Sequence, residues 1–368
     1  MTSGQQIAAV ALMAGAACSL AGVFLVLRRM AMMADAISHA ILPGLVAGYV
    51  LAHGPNLWVG FLGATAAGLA TVWLVEVLAK SRRVREDTAI GLVFPTMFAL
   101  GVLVVSKFFA NVHIDTDAVL YGEIAMAPFD RFRWGGHDLG PLSLWVLSSL
   151  FVFNAVFLTA FYKEFKLSTF DAGLAACLGF APAALHMLLM TSVAITTVGA
   201  FSAVGAVLSV ALIIVPPVTA SLLTERLPIL IGLSGLIGAL GGVLGYVLAA
   251  MWDVSISGMI ATTLGAMFFT ALLGAPRKGI LSQLARQRQQ RLQFAVEMLA
   301  VHLATHEATA DRDTENSIWH LERELGWSPS RAASIVRRSE RAGYVLSRDG
   351  QLQLTEAGHA LVETTLAR

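Results

Sequence analysis

Over residues 1–276, long apolar runs alternate with short polar or charged breaks. A run of roughly 20 apolar residues is long enough to cross a bilayer as a helix. Nine runs of that kind stand out, at about residues 7–27, 32–51, 57–78, 88–105, 142–161, 183–203, 205–222, 228–250 and 257–273. The stretch 182–223 is too long for one span and is read as two, 183–203 and 205–222; merging it gives eight. The fourth and fifth runs are separated by a longer polar region, 107–140, read as partly helical and partly re-entrant. Pro43-Gly44 falls inside the second run and predicts a kink there, because proline withholds a helix hydrogen bond.

Beyond residue 277 the pattern changes. Leu292, Val296, Leu299 and Leu303 recur at helical spacing within 286–306. A polar linker (308–314) and a short helix (317–325) follow. Ser328-Pro329 then predicts a helix start, as capping hydroxyl and first helical residue, for a helix over 330–342 that stops at Gly343. Short strands at 344–347 and 351–354 flank the turn residues Arg348-Asp349-Gly350, and Thr355 predicts a cap for a last helix. The fold class that follows is an all-α polytopic membrane protein with eight or nine transmembrane helices, plus a small C-terminal winged helix-turn-helix domain. The expected domains are a membrane domain (1–276), a linker (277–289) and a cytoplasmic unit (290–368).

Composition agrees with the pattern. The chain is 57% hydrophobic and 13% charged, against about 25% charged in soluble domains. Residues 1–276 hold 12 Lys and Arg and 13 Asp and Glu; residues 277–368 hold 13 and 11 in a third of that length. With the amino terminus outside, Arg28, Arg29, Lys80, Arg82, Arg83, Arg85, Lys163, Lys166, Arg226, Arg277 and Lys278 all fall in the cytoplasm. Only Lys107, Arg131 and Arg133 fall opposite, a bias that favours an odd span count and a cytoplasmic tail. Cys18 and Cys177 lie in apolar segments and make no disulfide framework. The first run lacks a basic leader and ends on Leu27-Arg28-Arg29, so it reads as a retained span.

The candidate chemistry begins in the second run. Asp35 and His39 are four residues apart and share one helix face. An ionisable pair inside a span normally faces a protein interior or a watery path, and carboxylate with imidazole suits Mn2+, Fe2+ or Zn2+. The same residues also fit a structural reading, with Asp35 capping the helix or pairing with Arg29 and His39 bonding a neighbour. His53, His113, Asp115, Asp117 and Glu123 lie toward the outer side, as an outer funnel for a cation or as a solvated loop. Glu76, Glu86 and Asp87 read as surface ion pairs, and His186 as a satisfied core histidine. His302 and His306 share a helix face without a third ligand at a defined spacing. Glu164, Lys166, Phe170 and Asp171 through Gly179 form a polar break leading into a capped, small-residue helix suited to docking on another protein. The sequence contains no HExxH, no GxxxxGK[ST] and no nucleophile elbow, so ATP hydrolysis is expected in a separate subunit.

The stretch from Arg28 to Gly44 resembles the signature of the permease subunits of bacterial manganese, zinc and iron ABC importers. Glu86-Asp87-Thr88-Ala89-Ile90-Gly91, then Phe170-Asp171 with Leu178-Gly179, then Ala211 to Pro216 with Thr219 to Thr224, resemble further segments in the same order. The resemblance covers about residues 8–275 and implies a permease in the bacterial inner membrane. Its expected partners are a second permease subunit, cytoplasmic ATP-binding subunits and an extracytoplasmic solute-binding protein. It ties Asp35 and His39 to the metal path and Glu164 to Gly179 to the helix that contacts the ATPase. No cofactor is expected beyond the transported ion, with Mn2+ placed ahead of Zn2+ and Fe2+. The tail departs from the plain family pattern. Leu352 to Gly358 resembles the wing exit of small bacterial regulators, and the tail resembles the DNA-binding part of iron- or manganese-dependent repressors. It is read as a regulatory or packing contact with neighbouring cytoplasmic subunits rather than as a DNA reader. The other readings are a gradient-coupled secondary transporter, a membrane-tethered metal-responsive transcription regulator and a membrane scaffold.

Overall fold

A computed structural model describes the chain apart from residues 1, 55, 82, 109–123, 135–136, 308–315, 318–319, 322–324, 349 and 368. His113, Asp115, Asp117 and Glu123, assigned to an outer funnel, therefore lie outside the described residues, as does the 308–314 linker. The contacts divide the chain into two units, Met1–Gly279 and Ile280–Arg368.

The first unit is built of helices α1 (Ser3–Leu27), α2 (Met32–Leu51), α3 (Leu57–Lys80), α4 (Glu86–Phe108), α5 (Leu142–Ala160), α6 (Tyr162–Phe170), α7 (Ala172–Cys177), α8 (Pro182–Val204), α9 (Ala206–Leu223), α10 (Leu227–Trp252) and α11 (Ile256–Gly274). Among the described residues nine of these are long and apolar enough to span a bilayer; the short α6 and α7 are not. The chain is thus a multi-pass membrane protein, and its charge bias puts the C-terminal unit in the cytoplasm. The division of 182–223 falls at Gly205, whose φ of +80° only glycine adopts without strain. Where the polar region before α5 is described, Ile124 and Ala127 pack into the core of the first unit. The region carries a 3-10 turn (Ile124–Met126) and an antiparallel hairpin, β1 (Arg131–Trp134) and β2 (His137–Pro141).

Helix α1 is apolar all round and is the most buried span, so it forms the centre of the unit. It packs on α5, α8, α9 and α10. In a membrane such contacts depend on close backbone approach, which small residues allow. A Cβ on Gly15 would lie 2.0 Å from the Gly238 carbonyl oxygen, so only glycine lets α1 and α10 meet there. Polar side chains add a second tie. Asn154 of α5 is fully buried, and its Nδ2 donates to Ala17 O at 3.1 Å and to Thr196 Oγ1 at 2.9 Å. Its Oδ1 accepts from Ser192 Oγ at 3.1 Å. One amide thereby joins α1, α5 and α8.

The second unit has its own apolar core, from Val296, Leu299 and Leu303 to Ile335, Val345 and Leu352. It comprises α12 (Ile280–His306), α13 (Pro329–Arg341), the antiparallel hairpin β3 (Val345–Arg348) and β4 (Gln351–Leu354), and α14 (Glu356–Leu366). Helix α12 runs through residues 280–289, which the sequence pattern assigned to a linker. Pro329 does open α13, but Ser328 makes no side-chain cap: its Oγ lies 3.3 Å from Ser330 Oγ instead. Thr355 caps α14 as expected, accepting from Gly358 N at 3.1 Å.

Candidate metal path and coupling site

The turn from α1 into α2 sets the site. Arg29 takes a left-handed φ of +63°, and α2 starts only three residues later, at Met32. Asp35 and His39 then lie one turn apart on α2, with His39 Nε2 3.5 Å from Asp35 Oδ1. Their side chains are 35% and 33% exposed, so the pair sits at the surface of this single chain without being fully open. Asp35 does not cap α2, whose N-cap is Ala31 without a side-chain bond. The imidazole is held by α4, with Phe94 tilted at 5.7 Å between ring centroids and Phe98 edge-on at 6.0 Å. Gly101 lets α4 come this close, since a Cβ there would lie 2.9 Å from the Pro43 ring. Pro43 stands four residues after His39 and has no N–H to give the His39 carbonyl. Helix α2 runs on unbroken through Pro43, and the missing N–H leaves the carbonyl of the residue that carries the imidazole without its helix donor.

Two donors fall short of the four or more that Mn2+, Zn2+ or Fe2+ takes. Among the described residues no group of three His, Cys, Asp or Glu gathers around one point. Toward the outer ends of α2, α3 and α8 there is a cavity of about 480 Å³, lined by residues such as Ile41, Leu45, Phe61 and Val198. At the cytoplasmic ends of α2, α3, α4 and α8 lies another, of about 400 Å³, whose lining includes Met30, Glu76, Lys80, Glu86 and His186. Glu76 is paired with Lys80 at 2.8 Å and Asp87 approaches Arg85 at 3.9 Å, as ion pairs at the ends of spans. Glu86 lines the cavity.

The cytoplasmic break after α5 is two short helices. Phe165 of α6 is fully buried against Phe24, Phe157 and Phe161, at ring separations of 5.4, 5.3 and 5.9 Å, which fixes α6 to α1 and α5. Asp171 caps α7, with its Oδ1 accepting from Leu174 N at 2.8 Å. Gly179, at a φ of +86°, turns the chain after α7. Phe170 is 66% exposed and Leu178 61%, so the pair of helices presents apolar knobs outward. Lys166 is also exposed. Glu164 is different: its Oε2 is buried and has no hydrogen-bond partner among the described residues.

Arg28 was not singled out by its spacing, yet it ties these parts together. Its Nη2 donates to Ser168 Oγ at 2.6 Å and its Nε to Thr169 Oγ1 at 3.1 Å, both in α6. Its Nη1 lies 3.4 Å from Nδ1 of His186 in α8, so His186 has a partner as expected, but it is half-buried in the wall of the cytoplasmic cavity and is not a core residue. Burial lowers the Arg28 pKa from its usual value, and a guanidinium stays charged even so. One cation thus spans the end of α1, seven residues before Asp35, and the break that faces the cytoplasm. In the second unit the His302 and His306 rings lie 4.8 Å apart between centroids, tilted at 50°, and His359 pairs with Glu307 at 3.3 Å.

Nine membrane-length helices among the described residues, with an ionisable pair one turn ahead of a proline inside one of them, form a polytopic membrane protein of the transport kind. The chain belongs to the ABC 3 transport family, whose profile matches residues 3–275. It is 43% identical over 361 residues to the zinc transport system membrane protein TroD of Treponema pallidum (strain Nichols), covering 98% of both chains. It is 44% identical over 280 residues to the manganese transport system membrane protein MntD of Bacillus subtilis (strain 168), covering 76% of this chain and 95% of that one. The similarity to TroD thus takes in the C-terminal unit, whereas that to MntD leaves about a quarter of the chain uncovered. Among solved structures, PsaBC from Streptococcus pneumoniae in complex with Fab superposes with a TM-score of 0.63 at 27% identity, covering 76% of this chain and 94% of that chain.

Proposed function

We propose that this chain is the permease subunit of an ATP-driven importer for divalent transition-metal ions, Mn2+ ahead of Zn2+ and Fe2+. The observation that carries the reading is the Asp35–His39 pair, set one turn apart inside a span with Pro43 one turn further on. The carboxylate offsets the charge of a cation and the imidazole adds a borderline donor. Together they select against Mg2+ and Ca2+, which prefer shells of oxygen alone. A shell of few protein donors completed by water or by a second permease subunit suits Mn2+, and it keeps the ion loosely held, so that it can leave. Relatives named for zinc and for manganese flank this choice.

The helices α6 and α7 are the contact for a cytoplasmic ATP-binding subunit. Phe170 and Leu178 supply apolar knobs, and the exposed Lys166 adds a charge beside them. Movement of α6 reaches α1 and then Asp35 through Arg28. An extracytoplasmic solute-binding protein delivers the ion from the other side. ATP hydrolysis belongs to the partner, since the sequence has no nucleotide-binding signature. The C-terminal unit has the helix, hairpin and helix order of a winged helix, used here as a contact module.

The test is reconstitution of the chain in vesicles with its ATP-binding and solute-binding partners, with Mn2+, Zn2+ and Fe2+ offered in competition. ATP-dependent uptake led by Mn2+ supports the assignment. Uptake that follows an ion gradient and ignores ATP replaces it with a secondary transporter. A tethered transcription regulator is the second reading, favoured by the exposed arginines of α13; sequence-specific DNA binding by the full chain, falling steeply with salt, would carry it.

A further inference from the structure

The C-terminal unit holds a charge arrangement that its own core does not use. In α12 the buried residues start at Ala295 and continue through Val296, Leu299, Ala300 and Leu303. Residues 280–294 contribute none. That first half is apolar and basic at once. Leu281 is 61% exposed and Leu284 57%, and Arg288 and Arg291 continue the same helix stripe at three- and four-residue steps. Between Ile280 and Phe294 the sequence has no acidic residue.

Helix α13 lies alongside. A cavity of about 450 Å³ is lined by Leu284, Gln287, Arg288, Arg291, Leu292 and Arg331. A second, of about 330 Å³, is lined by Leu292, Ser334, Arg337, Arg338 and Arg341. The two meet at Leu292, so six guanidinium groups from two helices line one groove, and no carboxylate is in either lining. Arginine's planar fork matches phosphate oxygens in pairs, which makes a phosphate-bearing partner the chemical complement of the groove.

Two observations choose the source of that phosphate. The last span ends at Gly274 and α12 begins at Ile280. A chain advances at most about 3.5 Å per residue, so α12 starts within roughly 20 Å of the bilayer surface. The exposed leucines are the second. A nucleic-acid backbone offers nothing to Leu281 or Leu284, whereas a helix lying in the bilayer interface buries such residues beneath the headgroups that its arginines contact.

We propose that the arginine groove between α12 and α13, together with the Leu281–Leu284 stripe, docks on the anionic phospholipid headgroups of the cytoplasmic leaflet. The inference rests on topology and charge, and is independent of which ion the first unit carries. Docking makes the position of the C-terminal unit sensitive to lipid charge and to salt.

The test uses the full chain in nanodiscs of phosphatidylcholine alone or of phosphatidylcholine with phosphatidylglycerol, read by hydrogen exchange. Exchange over residues 280–292 and 329–341 is expected to slow at least about fivefold in the anionic discs and to recover in high salt. The triple variant Arg337→Gln, Arg338→Gln, Arg341→Gln removes most of that protection, and Leu281→Ser with Leu284→Ser removes it over 280–292. All five sites are exposed, so the core is left intact. Equal exchange in both discs overturns the proposal, as does protection that the arginine variant leaves unchanged. It is also overturned if inorganic phosphate or duplex DNA protects both segments in phosphatidylcholine discs as well as phosphatidylglycerol does.

Discussion

Replacing Arg28 separates the mechanical role assigned to it from a merely structural one. The guanidinium donates to Ser168 and Thr169 at 2.6 and 3.1 Å and approaches His186 at 3.4 Å. A hydrogen bond from a charged donor is worth about 1.5–3 kcal/mol. The site is half-buried, so water takes back part of what Arg28→Ala removes, leaving a net loss of about 2 kcal/mol. If that energy is what links α6 to α1 during each cycle, transport slows roughly 30-fold, at about 1.4 kcal/mol per decade. Arg28→Lys keeps the charge but has one compact head where the arginine spans three partners, so it falls between. The assay is metal uptake and ATP hydrolysis measured on the same vesicles with the partner subunits present. The expected result is uptake per ATP well below wild type while hydrolysis continues. If uptake per ATP is unchanged, or if both activities fall together with the amount of folded protein, Arg28 does not transmit motion.

Three further outcomes follow from the packing and the charges. Gly22→Ala puts a Cβ 1.7 Å from the Ile213 carbonyl oxygen, which Pro217 leaves without a helix donor. It is expected to destabilise the unit by at least about 1–3 kcal/mol, read as a lower melting temperature in detergent. Asn154→Leu cuts the ties to Ala17, Ser192 and Thr196, at about 0.6 kcal/mol for each interhelical bond, or about 2 kcal/mol in all; unchanged stability would contradict the central role given to that amide. In the β1–β2 hairpin, the Gly140 N–H and then Arg131, at 2.6 Å, hold the Asp138 carboxyl below its usual range. The stabilisation is therefore present above the ordinary carboxylate pKa and is lost as pH falls through the depressed one. Trp145, whose Nε1 donates to Leu139 O, reports on the hairpin. Its emission should hold to the bottom of the ordinary carboxylate range and change only in stronger acid, and Asp138→Asn should abolish that dependence.

Much of this fold was legible because membrane spans are written in runs of one chemistry. The nine spans among the described residues follow from hydropathy, whereas what divides 182–223 is visible only in the fold, where Gly205 takes a φ of +80°. The hairpin at 131–141 was not legible, because its four- and five-residue strands show no clean alternation and one carries a register shift. Ser328 misled for a different reason: a hydroxyl before proline satisfies the capping pattern, but its rotamer is spent on Ser330. Asp35 and His39 could be paired from i and i+4 spacing alone. The role of Arg28 could not, because its partners are 140 and more residues away and only the folded chain brings them together. The same holds for Asn154.

The most direct test is cellular metal content in a host stripped of its own uptake systems, with the neighbouring ATP-binding and solute-binding proteins expressed alongside. Wild type, Asp35→Asn and His39→Ala are compared at matched membrane levels, with Mn, Zn and Fe measured together. Mn accumulation that both substitutions abolish is the result expected if the pair lies on the ion's path. Accumulation that survives both substitutions would make Asp35 and His39 structural and contradict the central claim.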